Sequence, residues 1–367
     1  MTYDENPIAT RRMCSLPRVP ARVLSPTLSP RREQAIRETE YRWVNGTVLH
    51  YYFFDRESDG LTVILQDGTT EWRSWVGDEA QREVVRKAFA TWKEVGIGLR
   101  FEEVKAPEEA ELRIGFMPGD GSWSYVGTYA TRIGSAERTM NFEWDLRQDF
   151  DVALHEIGHA LAMKHEHQNP FSGIEWNEAA VYKAFSDYPN GWDRQKIHDN
   201  VIRQLDQGEV NGSKWDPDSV MHYEFAAGLI SRPEKYRTTA LKPHGGLSAH
   251  DIATMRSFYP ALSDTELPEL RAGRSEPLPT TNGEQLDFVV RPAATRTYQM
   301  RTFGACDSIL VLFEEEGGEL RYRTTDDDSG DDRNASLSVK LFTGRSYVLR
   351  VRMNYTDSSE PPTLMMW

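Results

Sequence analysis

Three histidines in the run His155-Glu-Ile-Gly-His159-Ala-Leu-Ala-Met-Lys-His165 have the types and the spacing of a metal site. Residues four apart lie on one face of an α-helix, so His155 and His159 can turn two imidazoles toward one ion. Zinc accepts neutral imidazole nitrogen at about 2.0–2.1 Å, within reach of such a pair. His165 cannot join them from a continuous helix, because ten residues would carry it about 15 Å along the axis. The chain must leave the helix after His159 and fold back if His165 is the third ligand. Three protein ligands leave the fourth position of a tetrahedral zinc open to water, the catalytic arrangement, whereas structural sites are closed by four. Zinc lowers the pKa of that water from about 15.7 to about 7. Glu156 follows the first ligand, can reach the water without binding the metal, and is the candidate general base. The implied chemistry is metal-assisted hydrolysis of a peptide carbonyl. The bland alternative is a surface helix whose histidines are merely solvated.

Downstream lies Asp218-Ser-Val-Met221-His-Tyr223, and around these runs stand Arg42-Trp-Val-Asn-Gly-Thr47, Gly121-Ser-Trp-Ser124, Thr139-Met-Asn-Phe142, His165-Glu-His-Gln-Asn-Pro170 and Leu247-Ser-Ala-His-Asp251. Together they resemble the metzincin superfamily of zinc peptidases, and within it the astacin-like branch of bacterial and fungal type. The resemblance covers about 41–260. It implies one catalytic Zn2+, with Met221 in the hydrophobic floor beneath the metal. Tyr223 is then a switchable ligand that swings away to stabilise the oxyanion, a role suited to a phenol, which both binds weakly and donates. It implies that the strand around Trp123, Ser124 and Tyr125 forms the upper edge of the cleft and pairs with extended substrate. It also implies that Glu166 anchors the metal-site loop. Three departures stand out. Ala162 occupies the usual glycine position, where a left-handed backbone costs alanine roughly 1–2 kcal/mol. No cysteine lies between Cys14 and Cys306. The N-terminal residues are not a recognisable astacin propeptide.

The elements that must position these groups are legible in outline. Apolar residues at helical spacing predict a helix over 78–95, ended by Gly96, and the metal helix spans 149–161. Strands are expected at 47–54, 99–104, 111–116 and 139–142, with further helices at 177–185 and 193–205. The fold class is therefore α+β: a metzincin-like catalytic domain, with a twisted sheet and long helices over a zinc cleft, and then a small all-β sandwich. The expected boundaries are an extended leader over 1–40, the peptidase domain over 41–262, a Pro/Gly/Ser-rich linker over 263–283 and the sandwich over 284–367.

Composition narrows the class. The 367 residues are 39% hydrophobic and 27% charged, enough for sizeable cores, and the net charge of −14 disfavours nucleic acid and anionic membranes as partners. No run approaches the roughly 20 apolar residues of a membrane span, and no secretory signal core is present. The compartment stays open between cytoplasmic and secreted. The expected partner is a protein or peptide substrate, and the chain is expected to be a monomer. Cys14, in the leader, could occupy the open zinc position and hold the enzyme latent; the alternative is an inert thiol. The acidic run Thr325-Asp-Asp-Asp-Ser-Gly-Asp-Asp332 could bind Ca2+, although its spacing is not that of a helix-loop-helix site and a solvated turn is the simpler reading. His167 and His222 read as neighbours of the site, not ligands. The rival function is a binding protein with a vestigial zinc site and a ligand-recognising sandwich. A narrower rival is a peptidase acting at one processing site.

Overall fold

A computed structural model describes residues 13–20, 41–65, 67–206, 214–262, 267–327, 329–356 and 361–367. The described residues fall into two compact units, one holding 13–20 and 41–262, the other 267–367.

The first unit is built on a five-stranded sheet of β1 (Val48–Phe53), β4 (Arg100–Glu103), β5 (Leu112–Gly115), β6 (Trp123–Ser124) and β7 (Met140–Asn141), in the order β4-β1-β5-β7-β6. A separate hairpin, β2 (Gly60–Ile64) with β3 (Thr70–Ser74), follows β1. β1 pairs in parallel with β4 and β5, as β5 does with β7, whereas β6 runs antiparallel at the edge. β1 is aromatic and branched and is buried on both faces: Leu49, Tyr51 and Phe53 enter the main core, and Tyr52 joins a smaller cluster with Phe54 and Ala110. Helix α1 (Glu79–Glu94) places Val85, Ala88, Phe89 and Trp92 on that core. Its first turn is capped by Asp78, which accepts from Gln81 N–H.

Helix α2 (Phe150–Ala160) carries the histidine motif. Ala153, Leu154, Ile157 and Ala160 fix one side in the core, which leaves His155 and His159 for the cleft. Two indoles lock its position: Trp92 Nε1 donates to Leu154 O at 3.1 Å, and Trp43 Nε1 to Ala160 O at 2.7 Å. Gly158 faces Met221, since a Cβ there would lie 2.5 Å from Met221 Sδ. The helix then stops. Ala162 has φ +72°, and Met163 N–H reaches back to Gly158 O at 2.9 Å, a closure that usually employs glycine. Ala162→Gly is expected to raise stability by about 1 kcal/mol and Tm by about 2–4 °C, measured on zinc-loaded protein. No gain would mean that the unfolded-state entropy of glycine offsets the relieved strain.

After the turn, the lower half holds β8 (Glu175–Trp176), α3 (Glu178–Ser186), α4 (Arg194–Ile197) running into a π-helical turn (His198–Ile202), and β9 (Ile230–Arg232). Phe185, Val201, Phe225 and Leu229 centre their own core, to which Met13 and Cys14 of the leader belong. Helix α5 (Ala249–Phe258) closes the unit. Its capping box joins Ser248 and Asp251, and Asp251 also accepts from Ser219 Oγ and Val220 N–H, which holds the turn around Met221.

The second unit is the expected sandwich: two four-stranded antiparallel sheets facing one core that includes Phe288, Met300, Leu310, Leu349 and Leu364. Part of the predicted linker belongs to it. Ser275–Pro277 pairs antiparallel with Thr363–Met366, and Leu270 and Leu278 are buried in the core. The strand is only three residues long and lies at the sheet edge, where proline is tolerated, so composition concealed it. Two carboxylates of the acidic run serve their own chain: Asp326 accepts from the Ser329 and Ser336 amides, and Asp331 pairs with Arg301 at 2.6 Å. The calcium expectation finds no support there.

Candidate metal centre

The three predicted ligands meet. His159 Nε2 lies 3.1 Å from His155 Nε2 and 3.1 Å from His165 Nε2. The corners of a tetrahedron with bonds of about 2.05 Å are about 3.3 Å apart, so this spacing fits zinc. The ring orientation fits too. His155 Nδ1–H donates to Val220 O at 2.8 Å and His159 Nδ1–H to Met163 O at 2.9 Å, which leaves both Nε2 lone pairs aimed inward. Burial favours the neutral imidazole in each: His155 is pushed down to about 4, and His159 and His165 well below the ordinary histidine range. Converging lone pairs without protons are what a divalent cation requires.

A fourth donor joins them. Among the described residues, Cys14, His155, His159 and His165 form a buried group whose ligand atoms all lie within 4.8 Å of one another. Burial, and then the Glu156 carboxylate, hold the Cys14 thiol well above its usual range, and Sγ lies 3.4 Å from Glu156 Oε2. Glu156 is fully buried, its pKa raised to about 8 by desolvation, and Oε1 has no hydrogen-bond partner among the described residues.

The supporting residues are placed as follows. Met221 is fully buried under α2, and its carbonyl accepts from Glu166 N–H at 3.0 Å. The Glu166 carboxylate accepts from Asp216 N–H at 3.0 Å and Asn169 Nδ2 at 3.1 Å, so it ties the loop after His165 to the segment before Met221. Tyr223 lies 4.5 Å from His165 between ring centroids, and its hydroxyl donates to the Cys14 carbonyl. Trp123 and Ser124 form the edge strand, but the Ser124 side chain is buried and bonds to Tyr125 O. The Tyr125 ring stacks on Tyr129. Next to this segment, the Ser122 carbonyl accepts from Ser15 N–H of the leader at 3.4 Å. His167 is buried and its Nε2–H donates to Asn200 O at 2.9 Å, while His222 Nδ1–H donates to Tyr223 O at 2.7 Å. Neither is in the ligand group.

The leader is expected to be extended, and its described residues lie along the cleft. Met13 N–H donates to Asn190 Oδ1 at 3.0 Å, Ser15 N–H to Ser122 O at 3.4 Å and Leu16 N–H to Asn200 Oδ1 at 2.9 Å. Sequence reasoning missed Ser122, Asn190 and Asn200. No spacing rule ties a single asparagine to a histidine motif that lies in a different element.

Comparison with known proteins agrees with this geometry. The family model described as Astacin, a peptidase family, matches residues 74–259. Tolloid-like protein 1 of Mus musculus is 28% identical over 199 residues, covering 51% of this chain and 18% of that protein. Protein SpAN of Strongylocentrotus purpuratus is 25% identical over 191 residues, covering 49% of this chain and 28% of that one. The chain thus spans less than a third of the length of these curated relatives. Among solved structures, that of myroilysin is 28% identical with a TM-score of 0.51, covering 61% of this chain and 97% of that one. The family match spans half of the chain and contains both the histidine motif and the methionine turn: this protein belongs to the astacin family of peptidases.

Proposed function

We propose that this protein is a zinc-dependent endopeptidase that hydrolyses internal bonds of extended polypeptides. The observation that carries the reading is the convergence of three neutral, buried imidazoles with Glu156 beside them. His155, His159 and His165 would hold zinc, which when bound supplies a Lewis acid for a peptide carbonyl and acidifies water at neutral pH. Glu156 would take the proton of the attacking water and return it to the leaving amine. The Tyr223 hydroxyl would donate to the carbonyl oxygen as charge develops there, as it already donates to the carbonyl of Cys14. The edge strand β6 and the preceding Ser122 carbonyl would align the substrate by main-chain bonds, which read conformation rather than sequence.

The same geometry supports latency through Cys14. Its Sγ supplies a fourth donor, and a four-donor set is closed to water. Burial keeps the thiol protonated until a metal claims it.

Two measurements test the metal reading. Pure protein should contain about one zinc per chain. Activity on a denatured protein should vanish in chelator and return with added zinc; full activity in excess chelator would refute the assignment. Because burial lowers the ligand histidines below their usual range, protons compete for them only at low pH. Zinc should therefore stay bound at about pH 5.5, and a release midpoint near the ordinary histidine value of about 6.5 would contradict this.

A further inference from the structure

The described leader residues are gripped through their backbone. From Met13 to Leu16, Asn190 Oδ1 accepts one amide, Tyr223 donates to the next carbonyl, Ser122 O accepts the Ser15 amide and Asn200 Oδ1 accepts the Leu16 amide. Ser122 stands beside the sheet edge, whereas the other three rise from the lower half, so the segment is held from both walls. Asn200 is itself firmly held. It is 5% exposed, its Nδ2 donates to Lys196 O at 3.0 Å, and its own carbonyl is engaged by His167 Nε2. With the amide nitrogen committed to Lys196, Oδ1 is turned to the leader. The residue sits in the π-helical turn His198–Ile202, a widened turn of the kind that often re-aims side chains at functional sites. Nothing in this set of bonds depends on which residues the leader carries, so any extended peptide offers the same groups.

We propose that Asn200 is a substrate-positioning residue: in the working enzyme, its Oδ1 accepts one main-chain N–H of the bound polypeptide, opposite the Ser122 carbonyl, and Asn190 does the same farther along. The leader occupies these acceptors first. The inference rests on the endopeptidase reading for its substrate class, an extended polypeptide, and assigns the lower wall a share of the affinity. Asn200 touches no reacting atom and acts through the placement of the backbone.

The test uses zinc-loaded Cys14→Ala protein folded at full length and then cleaved after the leader, so that the acceptors are free in every variant, with ten-residue fluorogenic peptides methylated at one backbone nitrogen at a time. One methylated peptide should show KM raised roughly fivefold with kcat within about twofold, the loss of a single net hydrogen bond. Asn200→Ala should raise KM for the unmethylated peptide by a similar factor and abolish the penalty of that one methyl group. A purely structural asparagine would leave the methylation pattern untouched. Calorimetry on the Cys14→Ala, Glu156→Ala protein reads the same roughly fivefold change as Kd, without turnover. Equal KM and Kd with and without Asn200, a methylation pattern that survives its removal, or no peptide binding to the parent would each overturn the inference. If binding depends on Asn200 but the protein with Glu156 intact cleaves none of the peptides, the inference stands and the endopeptidase reading fails.

Discussion

Glu156→Ala is expected to leave about one zinc bound per chain while lowering kcat on a denatured protein by about a thousandfold or more. The carboxylate sits on α2 between two ligands but is outside the ligand group, so its loss removes no metal bond. It is fully buried, and desolvation raises its pKa above the ordinary carboxylate range, which favours its taking a proton. General acid–base catalysis contributes about 10²–10⁴ in rate, and one residue here is asked for both transfers. Glu156→Gln should lose as much, because the amide keeps the shape but cannot carry the proton. Zinc content by elemental analysis and kcat by peptide cleavage decide the matter. A variant that keeps a tenth of the activity would show that another group is the base, and one that loses zinc would show that Glu156 holds the site together.

Cys14→Ala should raise the activity of the full-length, zinc-loaded protein by at least about tenfold. The thiol is the one donor of the buried group that comes from the leader, and its removal opens one position while keeping three imidazoles. The gain should stop short of complete release. Three main-chain amides and the Cys14 carbonyl remain bonded to the cleft, and alanine at position 14 keeps every one of those groups. Cleaving the leader from the Cys14→Ala protein should therefore increase activity again, mainly through KM. The check is initial-rate kinetics on intact wild type, intact variant and leader-cleaved variant, at fixed zinc. Unchanged activity in the intact variant would remove the thiol from any role in latency.

Much of the catalytic unit could be read in advance, for reasons that differ by element. Helix α1 showed itself because Val85, Phe89 and Trp92 recur at helical spacing over one uninterrupted core. The β2–β3 hairpin did not, because neither strand buries a residue in a core; Ile64 is 78% exposed. Helix α5 was also missed. Its apolar face is weak and it buries Asp251 beside Met255, although Ser248 with Asp251 three residues on was a usable start signal. The expected helix over 193–205 proves to be one α-turn followed by a π-turn, a change of hydrogen-bond register that composition does not encode.

Sequence alone nominated His155, His159 and His165 as the metal ligands, because helical spacing pairs two of them and the ten-residue limit calls for a turn if the third is to join. That turn survives alanine at position 162, where φ is +72°, since the bonds closing the helix end and the Glu166–Met221 tie over-determine the backbone. Where the leader runs, and that Asn190, Asn200 and Ser122 receive it, only the tertiary structure decided. Each of those contacts joins groups more than 100 residues apart, through single polar atoms whose pairing is set by how two walls pack and not by any pattern along the chain.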